Sequence, residues 1–203
     1  RIEHFNCQFI LNVDRQIAAC YIYCQVIYKA GDDNMKTSDL IHERSIALAD
    51  CNNFFVSCER RVDNDLDSRP VVVLSSNDGC VISRSNEVKK MGVKMGDPYF
   101  KIRNMLAFNG VAIRSTNMSL YQEISAEIMS RIKLYTDAVE IYSIDESFFN
   151  MGISNVKDPL SYCRTIRKDI WDKCRIPVSI GIAPTKTLSK LATEYAKKNE
   201  ETG

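Results

Sequence analysis

Apolar and polar positions change their spacing repeatedly from Ile46 onward, so the pattern predicts strands and helices in turn. Runs rich in Val, Ile and Phe are typical of pleated segments and predict strands over residues 46–50, 71–74, 80–83, 111–113, 139–143, 147–151 and 177–183. Helical spacing predicts helices over residues 53–62, 86–91 and 103–107, and three longer helices that follow Asn117, Asp158 and Pro184. Strands separated by helices, with hairpins inserted, indicate helices packed on one side of a mostly antiparallel sheet.

The three longer helices have recognisable first residues and apolar faces. Asn117 and Asp158 are of the residue types that cap helix N-termini, and the proline after Asp158 suits a first helical position. In the last helix we expect one inward apolar face, formed by Leu188, Leu191, Ala192 and Tyr195.

Residues 1–45 are treated as an N-terminal extension of unknown role. Their apolar run, Ile17–Tyr28, fits either a strand or a buried helix and is too short to span a bilayer. A polar segment follows it, and the pattern becomes clear only at Ile46. We assign no chemistry to this part of the chain.

Composition limits the class of protein more than it limits the function. The 203 residues are 45% hydrophobic with a net charge of +1, which supports one core, or a core plus a small subdomain. Nucleic-acid binding would therefore depend on local basic patches. The eight cysteines contain no Cys-x-x-Cys pair, and no export signal is recognised, so we expect a cytoplasmic protein with reduced, buried thiols.

Asp145 and Glu146 are adjacent acids within an otherwise apolar, strand-forming run, and they are the most informative pair in the sequence. Burying unpaired charge costs several kcal/mol, so such acids need a basic partner, a metal ion or solvent. A solvated hairpin turn is the simpler interpretation of the pair alone.

Asp50 makes a metal site the alternative interpretation. It ends the apolar run that begins at Ile46, and Asn52 or Asn53 can cap the helix that follows. Hard ions such as Mg²⁺ prefer carboxylate oxygens. Asp50, Asp145 and Glu146 would be a minimal set for two-metal phosphoryl transfer, provided that their two strands are neighbours.

Four segments in one order resemble a known family: DCNNFF at 50–55, SRSNEVKKMGVKMGDP at 83–98, SIDES at 143–147 and GIAPTKTLSKLA at 181–192. Together they resemble the palm and fingers of Y-family (translesion) DNA polymerases, and most of all the UmuC subgroup. The resemblance implies an α+β fold: a ferredoxin-like palm, an antiparallel sheet backed by helices, with a small inserted fingers subdomain. It implies palm at 46–69, fingers at 70–107 and palm again at 108–203.

The resemblance also implies a template-directed reaction, transfer of a nucleotide from dNTP to a primer 3′-hydroxyl in DNA damage repair and the SOS response. Asp50, Asp145 and Glu146 would be the catalytic carboxylates. They would hold two Mg²⁺ ions, with the carbonyl of Cys51 as a further metal ligand.

Further residues are implied to bind the nucleotide. Of the adjacent Phe54 and Phe55, we expect Phe54 in the core and Phe55 under the sugar, where it would exclude a 2′-hydroxyl. Arg84, Lys89 and Lys190 would contact the triphosphate, with Lys186 a second candidate near primer phosphates.

The family's thumb and little finger are not found in the sequence, so we expect a fragment that grips primer-template DNA weakly and is weakly active or inactive alone. The subgroup's other partners, by resemblance, are the processed UmuD dimer, RecA and the sliding clamp. Two alternatives stay open: another two-metal palm enzyme such as a nucleotide cyclase, and a non-catalytic assembly module whose acids only anchor the fold.

Overall fold

The computed structural model describes residues 45–151 and 158–198. The predictions for residues 1–44, including the apolar run Ile17–Tyr28, lie outside this part of the chain. Within the described residues, no helix combines the length and the apolar character needed to cross a membrane.

The larger of two sheets has four strands and carries the acidic residues. They are β1 (Ile46–Cys51), β5 (Val139–Ile141), β6 (Glu146–Asn150) and β7 (Val178–Ala183), in the spatial order β5-β6-β1-β7. Every pairing in it is antiparallel. The central strand β1 is the most buried one, because it has a neighbour on each edge and helices over its surfaces.

Helices cover both faces of this sheet, whereas the sequence pattern predicted one. Alternate β1 residues Ala47, Ala49 and Cys51 join a core with α4 (Met118–Ile132) and α5 (Pro159–Cys174). Leu48 and Asp50 point to the other face, which is covered by α6 (Lys186–Lys198). The prediction failed because the spacing of apolar residues along a helix does not show which face of the sheet the helix covers.

The smaller sheet has the order β3-β2-β4 and its own core. Its strands are β2 (Val71–Leu74), β3 (Val81–Arg84) and β4 (Ala112–Ser115), with β2 antiparallel to β3 and parallel to β4. Their companions are α2 (Asn86–Lys90) and α3 (Tyr99–Phe108). The core between them contains Val72, Leu74, Val81, Val88, Val93, Leu106 and Val111.

Two predicted limits can be located on this arrangement. The boundary predicted between residues 107 and 108 falls before the last residue of α3, and β4 beyond it pairs with β2 in the smaller sheet. The helix predicted near 103–107 is longer, since it begins at Tyr99 directly after Pro98. A proline fixes its own φ near the helical value, so it starts a helix readily.

The predicted helix starts agree with the structure. The Asn117 side chain accepts a hydrogen bond from the Leu120 N–H at 3.2 Å. The Asp158 side chain accepts from the N–H groups of Leu160 and Ser161 at 3.1 and 3.2 Å. A helix of nine residues, α1 (Phe54–Val62), follows β1 and is succeeded by a short 3₁₀ turn, Asn64–Leu66.

The inward face of α6 is not the apolar one that we predicted. Its buried residues are Ser189, Thr193 and Ala196, whereas Tyr195 is 57% exposed. The Ser189 hydroxyl donates to the Ile46 carbonyl at 2.6 Å, and the Thr193 hydroxyl donates to the Leu48 carbonyl at 3.2 Å. Small side chains let the helix lie almost against the sheet, and their hydroxyls are satisfied by strand carbonyls.

Gly181 on β7 makes this close approach possible. A methyl group added at its Cα would lie 2.3 Å from the Thr193 backbone nitrogen and 2.5 Å from the Ser189 carbonyl oxygen. Both are backbone atoms of α6, so the helix would have to move away from the sheet.

We therefore expect Gly181→Ala to lower the free energy of unfolding by about 1–3 kcal/mol, the usual range for overpacking. Chemical denaturation monitored by circular dichroism measures it. Gly79→Ala is the matched control, because its new methyl would meet only the flexible Asn77 side chain, at 3.0 Å. Equal stability of the Gly181→Ala and wild-type chains would contradict the close packing of α6.

Candidate functional site

The strand register brings the three predicted carboxylates together. Asp50 on β1 lies directly opposite Glu146 on β6. The N–H of Cys51 donates to the carbonyl of Asp145 at 3.0 Å, so the third acid lies one position further along the same strand end. Two acids directly opposite each other in a sheet repel, so this arrangement needs nearby positive charge.

Two lysines of α6 supply that charge. The Lys197 Nζ lies 2.6 Å from Oδ2 of Asp50, and the Lys190 Nζ lies 3.0 Å from Oε2 of Glu146. Lys190 also covers the Tyr142 ring, with its Nζ 4.6 Å from the centroid. The Lys190 side chain is 45% exposed, so its ammonium group remains accessible from solvent.

Asp145 has a different partner, because the Ser143 hydroxyl donates to its Oδ1 at 2.5 Å. Across residues 45–151 and 158–198, no three carboxylate, His or Cys side chains converge as a ready metal site. The donor set nevertheless suits a hard divalent cation, since it consists of carboxylate oxygens at adjoining strand ends. The lysine ammonium groups now neutralise two of the three acids.

Burial dominates the electrostatics of Asp50. Only 6% of this residue is exposed, and burial raises the pKa of its carboxyl to about 6; Lys197 lowers the pKa, and the charges of Asp145 and Glu146 raise it. Burial alone would lower the pKa of Lys197, but its bonds to Asp50 and Glu194 raise it above the ordinary value. The pair therefore consists of a carboxyl group that burial makes harder to ionise and a lysine that stays protonated.

The adjacent phenylalanines occupy different environments. Phe54 is 4% exposed and belongs to the core. Phe55 is partly buried and stacks on Tyr121, with ring centroids 4.7 Å apart. The Tyr121 hydroxyl donates to Glu59 at 2.7 Å, which fixes the ring beneath Phe55. The residue with an accessible face is thus Phe55.

The smaller sheet contributes two further basic residues. Lys89 on α2 donates to the side chain of Asn53, and Asn53 donates to Asn86 at 3.0 Å. These two bonds connect α2 to Asn53, which lies just after the end of β1. Burial lowers the pKa of Lys89, and the positive charges of Arg84 and Lys197 lower it further. Lys89 is therefore close enough to both Arg84 and Lys197 to be repelled by each of them.

Arg84 has the least satisfied side chain of this basic group. Its Nε and Nη1 atoms are buried and have no hydrogen-bond acceptor within the described part of the chain. Buried guanidinium N–H groups are usually paired. Arg84 is therefore prepared for an acceptor that the described residues do not provide.

Lys186, the second candidate near primer phosphates, makes an ion pair elsewhere. Its Nζ lies 2.5 Å from Oε2 of Glu140 and 5.4 Å from the centre of the Phe148 ring. Its partners within the described residues are therefore Glu140 and Phe148, and none of the three site carboxylates is among them.

Sequence reasoning missed Lys197 as a residue of the site. The structure extends α6 to Lys198. Residues seven positions apart lie on one helix face, so the spacing of Lys190 and Lys197 could have indicated a shared role.

The comparisons with known proteins assign the family. A family model described as impB/mucB/samB (IMS) matches residues 49–194. The chain belongs to the impB/mucB/samB family. The matched residues include the end of β1, the smaller sheet and the acids Asp50, Asp145 and Glu146, and they end three residues before Lys197.

Individual relatives of this family agree with the assignment. The chain is 45% identical over 153 residues to protein UmuC of Salmonella typhimurium, covering 75% of this chain and 36% of that protein. It is 29% identical over 161 residues to DNA polymerase IV of Sulfurisphaera tokodaii, covering 76% of this chain and 45% of that protein. These matches confirm the resemblance to Y-family polymerases and to UmuC proteins.

A solved structure supports the fold of this family member. The crystal structure of DinB from Sulfolobus solfataricus superposes with a TM-score of 0.69 at 26% identity, over 75% of this chain and 46% of that one. This agrees with the predicted α+β palm and fingers. The chain spans less than half the length of these relatives.

The unusual state of Asp50 in this family member can be measured directly. In carboxyl-resolved NMR of the metal-free chain, we expect Asp50 to titrate with a pKa of about 6 instead of its usual 3.8. Lys197→Met should raise this pKa further, because it removes the ammonium group that favours the charged carboxylate. Lys198→Met, which removes a neighbouring exposed charge, should leave it nearly unchanged.

The raised pKa of Asp50 also makes the free energy of unfolding depend on pH. Because the fold favours the protonated Asp50, the group's contribution to the free energy of unfolding is complete below pH 3.8 and is lost as the pH rises through about 6. Titration of Asp50 at its usual 3.8 in the wild-type chain would contradict the burial described above.

Proposed function

We propose that this chain is the palm and fingers of a translesion DNA polymerase, which transfers a nucleotide from dNTP to a primer 3′-hydroxyl. The observation that carries the proposal is the pairing of Asp50 with Glu146 across β1 and β6, beside the cations Arg84, Lys89 and Lys197. An acidic cluster next to a basic group is the arrangement that metal-assisted phosphoryl transfer requires. Relatives of the chain named DNA polymerase IV support it.

The carboxylates of Asp50, Asp145 and Glu146, with the carbonyl of Cys51, would hold two Mg²⁺ ions. When bound, Mg²⁺ supplies activation of the primer hydroxyl and neutralisation of the phosphate charges. The chain's own contribution is the fixed strand register, which sets the acids at adjoining strand ends before any ligand arrives.

The triphosphate would lie on the basic side of the cluster. Arg84 offers two buried N–H groups that lack an acceptor in the described residues, and phosphate oxygens are good acceptors for a guanidinium. Lys89, Lys190 and Lys197 would add positive charge along the same ligand. We include Lys197, which sequence reasoning missed, because it already contacts Asp50.

The sugar would rest on Phe55. Its ring is held against Tyr121, so it cannot easily turn aside for a 2′-hydroxyl. Phe54 lies in the core, and its contribution to substrate binding would be to support the position of Phe55.

Primer-template DNA is the macromolecular substrate in this proposal, and the processed UmuD dimer, RecA and the sliding clamp are further proposed partners. No described residue is assigned to those three partners. The nucleotide cyclase and the non-catalytic assembly module are not favoured, because the family match includes the acidic cluster and the fingers segment together.

Binding of dNTP with Mg²⁺ tests the proposal, and isothermal calorimetry measures it on the chain itself. We expect binding that requires Mg²⁺ and is lost in the double variant Asp50→Ala, Asp145→Ala. Asp67→Ala, which removes an exposed acid outside the cluster, should bind as the wild type does. A folded wild-type chain that shows no Mg²⁺-dependent binding would contradict the proposed function.

Sugar selection tests the assignment of Phe55. In primer extension by the chain, we expect Phe55→Ala to reduce the preference for dNTP over rNTP by on the order of tenfold to a hundredfold, because the space for a 2′-hydroxyl opens. The ratio of the two kcat/KM values is the measurement. Phe100→Ala removes a phenylalanine that is 68% exposed on α3 and serves as the control; unchanged selection in Phe55→Ala would rule the role out.

A further inference from the structure

Two lysines on one helix face occupy the acidic cluster. Lys197 contacts Asp50 at 2.6 Å, and Lys190 contacts Glu146 at 3.0 Å. They lie two helical turns apart on α6, and α6 is fixed to the sheet by the hydroxyls of Ser189 and Thr193. The two ammonium groups are therefore presented to the acids by a firmly positioned helix.

A divalent cation and the two ammonium groups would compete for the same carboxylates. Mg²⁺ coordinates oxygen at about 2.0–2.1 Å, so an ion bound to Asp50 would lie within a few ångströms of Nζ of Lys197. Asp50 is buried, and charges are screened less there than in water. Lys197 also already repels Lys89, so the ammonium group would leave the carboxylate when the cation binds.

A released ammonium group has one favourable destination nearby. Lys89 is within electrostatic reach of both Lys197 and Arg84, and a triphosphate bound beside Lys89 would bring several negative charges to this side. The flexible side chain of lysine can turn from Asp50 to a phosphate oxygen without any movement of α6.

We propose that Lys197 and Lys190 are internal counter-cations, which neutralise Asp50 and Glu146 in the empty site and move to the triphosphate when a divalent cation takes their place. This inference rests on the proposed function and adds the order of charge exchange within that site. Its consequence is that cation and nucleotide each strengthen the binding of the other, since such a coupling is reciprocal.

Chemical labelling of lysines follows the exchange directly. The chain is treated with an acylating reagent, and the modification of Lys197 is quantified by mass spectrometry without ligand, with Mg²⁺ alone, and with Mg²⁺ plus dNTP. We expect Lys197 to be protected without ligand, about fivefold or more reactive with Mg²⁺ alone, and protected again with dNTP. Lys198, exposed at the end of α6, is the internal control and should react equally in all three conditions.

The affinity for Mg²⁺ gives a second readout. Calorimetry without nucleotide should show Lys197→Met binding Mg²⁺ about tenfold more tightly than the wild type, because no ammonium group competes. The same variant should bind dNTP more weakly at saturating Mg²⁺. Lys198→Met removes the same charge from the same helix and should change both affinities little, which separates the exchange from a general effect of net charge.

The outcomes distinguish this inference from the proposed function. If the wild-type chain binds Mg²⁺ and dNTP but Lys197 is equally reactive in all three conditions, the counter-cation role is overturned and the polymerase site stands. If Lys197→Met and Lys198→Met change Mg²⁺ affinity equally, the specific exchange is likewise overturned. If the folded chain binds neither ligand, both the inference and the proposed function fail.

Discussion

The antiparallel register between β1 and β6 is the constraint on which the site depends. It sets Asp50 opposite Glu146 at the end of a buried sheet, where like charges repel and burial disfavours ionisation. A nearby positive charge on the same face of the sheet offsets both costs. Here that charge comes from α6, whose two lysines reach both acids, so the position of a whole helix serves the electrostatics of two side chains.

The short distance between α6 and the sheet follows from the same need for positive charge. A helix with large apolar residues would stand about 10 Å from the sheet, as packed layers generally do. Gly181 and the small face of Ser189, Thr193 and Ala196 bring α6 nearer, and the hydroxyls satisfy themselves on strand carbonyls. Hydrogen bonds to the sheet therefore stabilise the position of α6, whereas an ordinary surface helix is stabilised mainly by burying apolar side chains.

This packing also explains which parts of the structure the sequence could predict. The strands and the caps at Asn117 and Asp158 follow from local pattern. Local pattern also places Asp50 at a strand end and Asp145 and Glu146 beside another strand, but it does not specify that these two strands pair. The buried face of α6 does not, because hydrophobicity is a poor guide where small polar residues pack against a glycine. The parallel pairing of β4 with β2 joins residues about forty positions apart, and no local signal specifies such a partner. Lys197 was missed because a lysine near a helix end is usually solvated.

The smaller sheet shows that the acids alone do not complete the site. Arg84 keeps two buried N–H groups without an acceptor in the described residues, and burial together with the charges of Arg84 and Lys197 lowers the pKa of Lys89. Both features are unfavourable in an empty site, and a stable fold has no need of them. Asn53, with a left-handed φ of 49°, bonds to Lys89 and Asn86 and so couples these cations to the end of β1. The acidic and the basic groups are each unsatisfied alone, and both are fixed at the end of β1. They are most simply understood as two halves of a binding site for a metal-bound anion.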